Sequence, residues 1–193
     1  MDRKFNKIFQ IGFNKCGTTS IHNFFLQNGF KSIHWDNTNL AKTIKNNSDN
    51  NQPLLSGYEQ YDCFTDMESL GDHFYIYLTH YKELDKQYPN SKFILNVRDK
   101  EKWIKSRMKH NNYLEYFRRN TGLNTDGVIN LWNNQWDNHI NDVLEYFKDR
   151  SNDLLHFNIE TESDKFVDYM RNLIEIKNPK FTKENQTKTT FFF

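Results

Sequence analysis

Short apolar runs alternate along this chain with stretches whose apolar residues recur every three or four positions. "KIFQIGF" (7–13) is continuous enough to read as a buried strand. "TTSIHNFFLQN" (18–28) has helical spacing, and Gly29 suits its C-terminal stop. "KSIHW" (31–35) predicts a second strand, and residues 37–57 read as weakly helical and then turn-rich, with Pro53 and Gly57. "YDCFTD" (61–66) predicts a third strand, and "FYIYLTHYKELDKQY" (74–88) a helix closed by Pro89 and Asn90. "KFILNV" (92–97) is the clearest strand and runs directly into a helix, "RDKEKWIKSRMKH". Between 127 and 148, Val128, Trp132, Trp136, Ile140, Val143, Leu144 and Phe147 mark a long amphipathic helix whose stripe reads as core. "DLLHFNI" (153–159) predicts the last strand, and "SDKFVDYMRNLI" a capped helix.

Strands alternating with helices imply an α/β domain with a mostly parallel sheet of about four to five strands. No repeat or linker divides the chain, so residues 1–193 read as one domain with a flexible polar tail from about 177. Composition narrows the function only a little. A net charge of +1 implies no general attraction to nucleic acid or to a membrane surface. An aromatic content of 16% separates the chain from disordered sequences. Two cysteines, Cys16 and Cys63, make no disulfide framework. With no apolar run of signal-peptide or membrane-spanning length, the expected location is cytoplasmic. The seven histidines are scattered without metal-ligand spacing, so no metal site is expected.

The chemistry concentrates in "GFNKCGTTS" (12–20). A glycine-containing loop between a strand and a helix presents unpaired N–H groups to an anion, and the helix dipole adds positive potential. Lys15 adds a charge, and Thr18 and Thr19 add hydroxyls. The other reading of the same residues is an ordinary turn with a solvated lysine. In a nucleoside triphosphate loop a lysine would follow Gly17; Thr18 stands there. Arg98 ends the best strand, where α/β sheets bind ligands, and its fork suits a phosphate. Ser106 lies two helical turns on. The alternative is that Arg98 pairs with Asp99 or another carboxylate.

"GFNKCGTTSI" resembles the 5′-phosphosulfate loop of sulfotransferases that use 3′-phosphoadenosine 5′-phosphosulfate (PAPS). "VRDKEKWIKS", with Arg98 and Ser106 eight residues apart, resembles their 3′-phosphate motif. The resemblance implies a P-loop-like three-layer α/β/α domain. It implies in-line transfer of a sulfuryl group from PAPS to a small-molecule or glycan acceptor, with PAP as product and no metal. Lys15 would then steady the leaving oxygen. Asn14, Lys15, Cys16, Gly17, Thr18, Thr19 and Ser20 would hold the 5′ side, and Arg98 and Ser106 the 3′-phosphate.

A base must take the acceptor's proton. Asp66, at the end of the third strand, stands where cytosolic members carry a catalytic histidine, and a smaller branch seems to carry Asp there. His34 and Asp36, just past the second strand, are further acceptor-side candidates. Asp66 also suits a helix N-cap, and His34 a half-buried structural role. The chain departs from cytosolic members in two places. Ser20-Ile21 replaces a tryptophan near the adenine, and a C-terminal Arg-Lys-Gly element is absent. Lys183, Asn185 or Lys188 in the tail are candidates to cover the nucleotide instead. The low net charge disfavours a long polyanionic sugar as acceptor, and a basic patch of Lys102, Lys105, Arg107 and Lys109 weakens that inference. The rival readings are a P-loop kinase or NTPase, with Asp66 near magnesium, and a non-catalytic phosphate-binding module.

Overall fold

The structure is a computed structural model that describes residues 4–110 and 112–182. Its elements run β1 (Ile8–Gln10), α1 (Thr18–Gln27), β2 (Ser32–His34), α2 (Asn39–Asp49), β3 (Cys63–Thr65), then a hairpin of β4 (Glu68–Ser69) and β5 (Phe74–Tyr75). There follow α3 (Ile76–Thr79), α4 (Tyr81–Gln87), β6 (Lys92–Val97), α5 (Lys100–Met108), α6 (Tyr113–Thr121), α7 (Thr125–Tyr146), β7 (Leu154–Asn158) and α8 (Ser163–Arg171). Five strands form one parallel sheet in the order β2-β3-β1-β6-β7.

Period-two alternation divides the strand side chains between two cores. Phe9, Phe64, Phe93 and Leu95 face one side, with residues from α2 through α7. Ile8, Cys63, Ile94, Leu155 and Phe157 face the other, with α1 and α8. Both faces are covered, which is why the strands read as apolar runs rather than half-polar alternations. This is a three-layer α/β/α domain with a five-stranded all-parallel central sheet. Trp132 and Trp136 are buried in the core; Trp136 stacks on Phe13 with ring centroids 5.3 Å apart.

Several boundaries differ from the sequence-based expectation. The strand expected over 7–13 pairs only through Gln10, because the following residues turn into the loop. The helix expected over 74–88 begins as β5 and then breaks at His80 between α3 and α4. Phe74 and Tyr75 are strand formers, and they pair with Ser69 and Glu68. Helix α6 was not expected; its apolar positions are few, and only Tyr113 and Phe117 are buried. Helix α8 starts without a side-chain cap. Arg107 is fully buried and so lies outside the expected basic patch.

Two polar residues inside these apolar strands hold the sheet's carboxyl end. Gln10 Nε2 donates to the Gly12 carbonyl and to Asn96 Oδ1, both at 2.7 Å, while Gln10 Oε1 accepts from the Asp66 N–H at 2.9 Å. One amide thus ties together the ends of β1, β3 and β6. Gly12 passes so close to β6 that a Cβ there would lie 2.2 Å from the Asn96 carbonyl oxygen. At Gly71 a Cβ would meet nothing within 4 Å. Gly12→Ala is therefore expected to cost about 3 kcal/mol or more by overpacking, and Gly71→Ala less than about 1 kcal/mol. Denaturant titration of the two variants checks this; equal stabilities would contradict the close approach.

Candidate active site

Every candidate group sits at the carboxyl end of a parallel strand: the 11–17 loop after β1, His34 on β2, Asp66 after β3, Arg98 after β6 and Glu160 after β7. Parallel α/β sheets bind ligands at that edge.

The loop is shaped by what its carbonyls do. Asn96 Nδ2 donates to the Cys16 carbonyl at 2.7 Å, Arg98 Nη1 to that of Lys15 at 3.1 Å, and Trp103 Nε1 to that of Asn14 at 3.0 Å. Three successive carbonyls are thereby turned into the protein. The backbone N–H groups of Asn14, Lys15, Gly17 and Thr18 have no acceptor among the described residues. Lys15 and Gly17 both have positive φ, 61° and 79°, and Gly17 caps the start of α1. A Cβ on Gly17 would also strike Ile159, 2.2 Å from its Cδ1. Donors without acceptors at a helix start, beside a lysine, form an anion-binding concavity.

The Lys15 side chain is half-buried, and its Nζ lies 3.5 Å from His110 Nδ1. Burial lowers its pKa, the Arg98 charge adds to that, and Asp66 and Glu68 oppose it. The Cys16 side chain is wholly buried, and burial pushes its thiol far above the ordinary range. Only the Cys16 backbone faces the loop's open side. Thr18 and Ser20 are buried in the first turn of α1.

Arg98 is held at both ends of its fork. Beyond the Lys15 carbonyl, its Nη2 meets Glu160 Oε1 at 2.7 Å, and Lys102 also reaches Glu160, at 3.4 Å. Its Nε is buried with no partner among the described residues. Asp99 caps α5 through the Lys102 N–H rather than pairing with Arg98. Ser106 is half-buried on α5, and its hydroxyl makes no hydrogen bond among the described residues.

On the other flank, His34, Thr19, Thr65 and Asp66 converge. The Thr65 hydroxyl lies 3.1 Å from the Ile33 carbonyl, to which it can donate, and 3.0 Å from His34 Nδ1, from which it can then accept. In that tautomer the His34 Nε2 is bare; it faces Thr19 Oγ1 at 3.5 Å and Asp66 Oδ2 at 3.7 Å. Burial lowers the His34 pKa to about 4, and His22 stacks on its ring. Asp66 has φ 55° and starts no helix. Burial raises its pKa above the usual carboxylate range, against the pull of Lys15 and the Thr18 hydroxyl. Asp36 is drawn aside: its Oδ2 accepts from Tyr58 at 2.6 Å.

The structure thus brings together Asn14, Lys15, Cys16, Gly17, Thr18, Thr19, His34, Asp66 and Arg98 along one edge. Residues 177–182 start the tail, where Asn28 binds the backbone of Lys177 and Asn178 and Phe181 packs on Phe166. Lys183, Asn185 and Lys188 lie outside the described residues. Sequence reasoning missed Gln10, Asn96, Trp103, Glu68 and Glu160. The first two carried a signal: an amide inside an apolar strand is a buried polar group that needs a partner.

No helix of the described residues is long and apolar enough to cross a membrane. Among the same residues no group of three or more His, Cys, Asp or Glu is placed to hold a metal ion. A search of curated proteins finds no significant match. A family model described as a sulfotransferase domain matches residues 7–182. That span takes in the loop, both strand ends that flank it and the sheet that positions them, and the chain belongs to the family of sulfotransferase domains.

Proposed function

We propose that the chain transfers a sulfuryl group from PAPS to a hydroxyl or amine of a small-molecule or glycan acceptor. The observation that carries this is the 14–18 loop, with the carbonyls of residues 14 to 16 turned inward, the N–H groups of Asn14, Lys15, Gly17 and Thr18 without acceptors among the described residues, and Lys15 at its apex. Those residues fit a phosphosulfate: several donors, one mobile cation, and hydroxyls at Thr18 and Thr19 beside them. PAPS supplies an activated sulfuryl group whose leaving oxygen is already a phosphate.

The chain's own residues divide the work. Asn14 to Ser20 bind the 5′ side through backbone N–H groups and hydroxyls. Arg98, whose buried Nε has no partner among the described residues, and Ser106 bind the 3′-phosphate. Lys15 donates to the oxygen on which charge develops, an interaction stronger in the transition state than before it. Asp66 takes the acceptor's proton, with the unprotonated Nε2 of His34 beside it. A kinase reading lacks support at Thr18, where a lysine would be needed.

Calorimetry and thermal shift test the reading directly. PAP is expected to bind and raise the melting temperature, while ATP with magnesium does neither. The reverse pattern would overturn the assignment. Arg98→Lys is expected to weaken PAP by about tenfold to a hundredfold through loss of the planar fork, and to weaken AMP by a smaller factor, because the bond to the Lys15 carbonyl that shapes the 5′ side is lost for both nucleotides. Equal losses for both nucleotides would remove Arg98 from the 3′-phosphate.

Turnover of PAPS on an acceptor panel is expected to fall about 100-fold or more in Lys15→Ala, the scale for one lost transition-state donor. The pH profile follows from the sign of the Asp66 shift. A base works ionised, and burial raises its pKa. Activity should therefore begin to fall, on acidification, at a higher pH than an ordinary carboxylate would allow. Asp66→Asn should be slow and lack that limb; a retained limb would assign the base elsewhere.

A further inference from the structure

We propose that Glu68 is a positioning residue for the transfer step, which holds the Lys15 loop through Asn14 and holds the Lys15 charge through its own carboxylate. This rests on the reading of Lys15 as the group that serves the leaving oxygen.

Lys15 keeps a left-handed backbone that a non-glycine residue does not favour, so its neighbours must hold it. Asn14, immediately before it, is gripped from two sides. Its carbonyl accepts from Trp103 on α5, and its side-chain Nδ2 donates to Glu68 Oε1 at 2.9 Å. Glu68 belongs to the small hairpin, outside the main sheet. Its other oxygen accepts from Tyr77 at 2.9 Å, and the Tyr113 hydroxyl lies 3.3 Å from Oε1.

The carboxylate is buried, and a glutamine there would avoid the cost of a buried charge. The structure supplies compensation for that charge instead. Arg107 donates to the Tyr113 hydroxyl at 3.2 Å, and its guanidinium lies 4.8–5.3 Å from the centroids of the Trp103, Tyr113, Phe117 and Trp132 rings. Trp103 and Arg107 both come from α5, so the same helix grips Asn14 directly and steadies the carboxylate that grips it from the hairpin.

The charged and titratable groups around Glu68 come from every adjoining element: Lys15 on the loop, Asp66 after β3, Tyr75 on β5, Tyr77 on α3, Arg107 on α5 and Tyr113 on α6. Burial, with the Asp66 charge adding to it, holds the Glu68 pKa above the usual carboxylate range, against Arg107, Tyr77 and Asn14; where ionised, Glu68 and Asp66 raise the Lys15 pKa against its desolvation and the Arg98 charge.

Two variants of the full chain separate tether from charge. In Glu68→Gln the amide can still join Asn14, whose Oδ1 is buried with no partner among the described residues and can turn to accept. Glu68→Ala loses both. Lys15 is probed by the pH dependence of its acetylation with acetic anhydride, read by mass spectrometry, and PAP affinity by calorimetry. Neither readout requires the acceptor. Glu68→Gln should melt near the wild type, bind PAP at least as tightly, and acetylate at Lys15 severalfold faster near pH 8, as the free amine becomes more populated. Glu68→Ala should bind PAP about tenfold more weakly. An unmoved acetylation profile in Glu68→Gln, or wild-type PAP affinity in Glu68→Ala, would overturn the proposal. Failure of the wild type to bind PAP would instead overturn the sulfotransferase reading on which it rests.

Discussion

The site depends on one orientation: the carbonyls of residues 14, 15 and 16 point into the protein. A peptide plane has its carbonyl and N–H on opposite sides, so fixing one direction fixes the other. The donors that hold these carbonyls are Trp103, Arg98 and Asn96, which lie on α5, in the turn after β6 and on β6. Buried carbonyls require partners, and here each finds a side chain rather than a strand or helix. The loop therefore needs no ligand to take its shape. Its donors face the open side in advance, which spares the reorganisation that a floppy loop would undergo on binding an anion.

That arrangement also joins elements distant in sequence. Gln10 links the ends of β1, β3 and β6, and Asn96 continues the chain of bonds from Gln10 to Cys16. Asp66 is thus registered against the loop by its own backbone N–H, independently of what its carboxylate does. Arg98 is likewise shared: one nitrogen serves the Lys15 carbonyl and another serves Glu160. Glu160 keeps the guanidinium extended across the edge of the sheet. Under the proposed function, it is also the carboxylate with which a 3′-phosphate would share that cation.

Much of this was legible beforehand, for identifiable reasons. The parallel strands announce themselves because both faces are covered, so "KFILNV" and "KIFQIGF" read as apolar runs. The loop is legible because Gly12 and Gly17 sit where a Cβ would strike Asn96 and Ile159. The hairpin was not legible. "FYIYLTHYKELDKQY" carries apolar residues at helical spacing, and only the pairing of Phe74 and Tyr75 with β4 reveals two strand residues at its start. The roles of Glu68 and Glu160 were hidden for a different reason. A glutamate in sequence reads as surface, and its burial depends on partners, Asn14 and Tyr77 in one case and Arg98 in the other, that lie far along the chain.

The place of the lysine now has a physical sense. A lysine after Gly17 would leave from the first turn of α1, where the buried Thr18 side chain meets Asp66. A cation there would sit against the proposed base and hold its pKa down. At position 15 the lysine instead rises from the loop's apex, between Arg98 and the two carboxylates. Their opposed fields keep it charged while its burial strips away water. A partly desolvated ammonium interacts more strongly with a developing negative charge than a solvated one does. Asp66 keeps a raised pKa even against the pull of Lys15, which suits the proposed proton acceptor. Under the proposed function, a threonine after Gly17 and a lysine at position 15 set the cation meant for the leaving oxygen apart from the first turn of α1, where Thr18 meets Asp66.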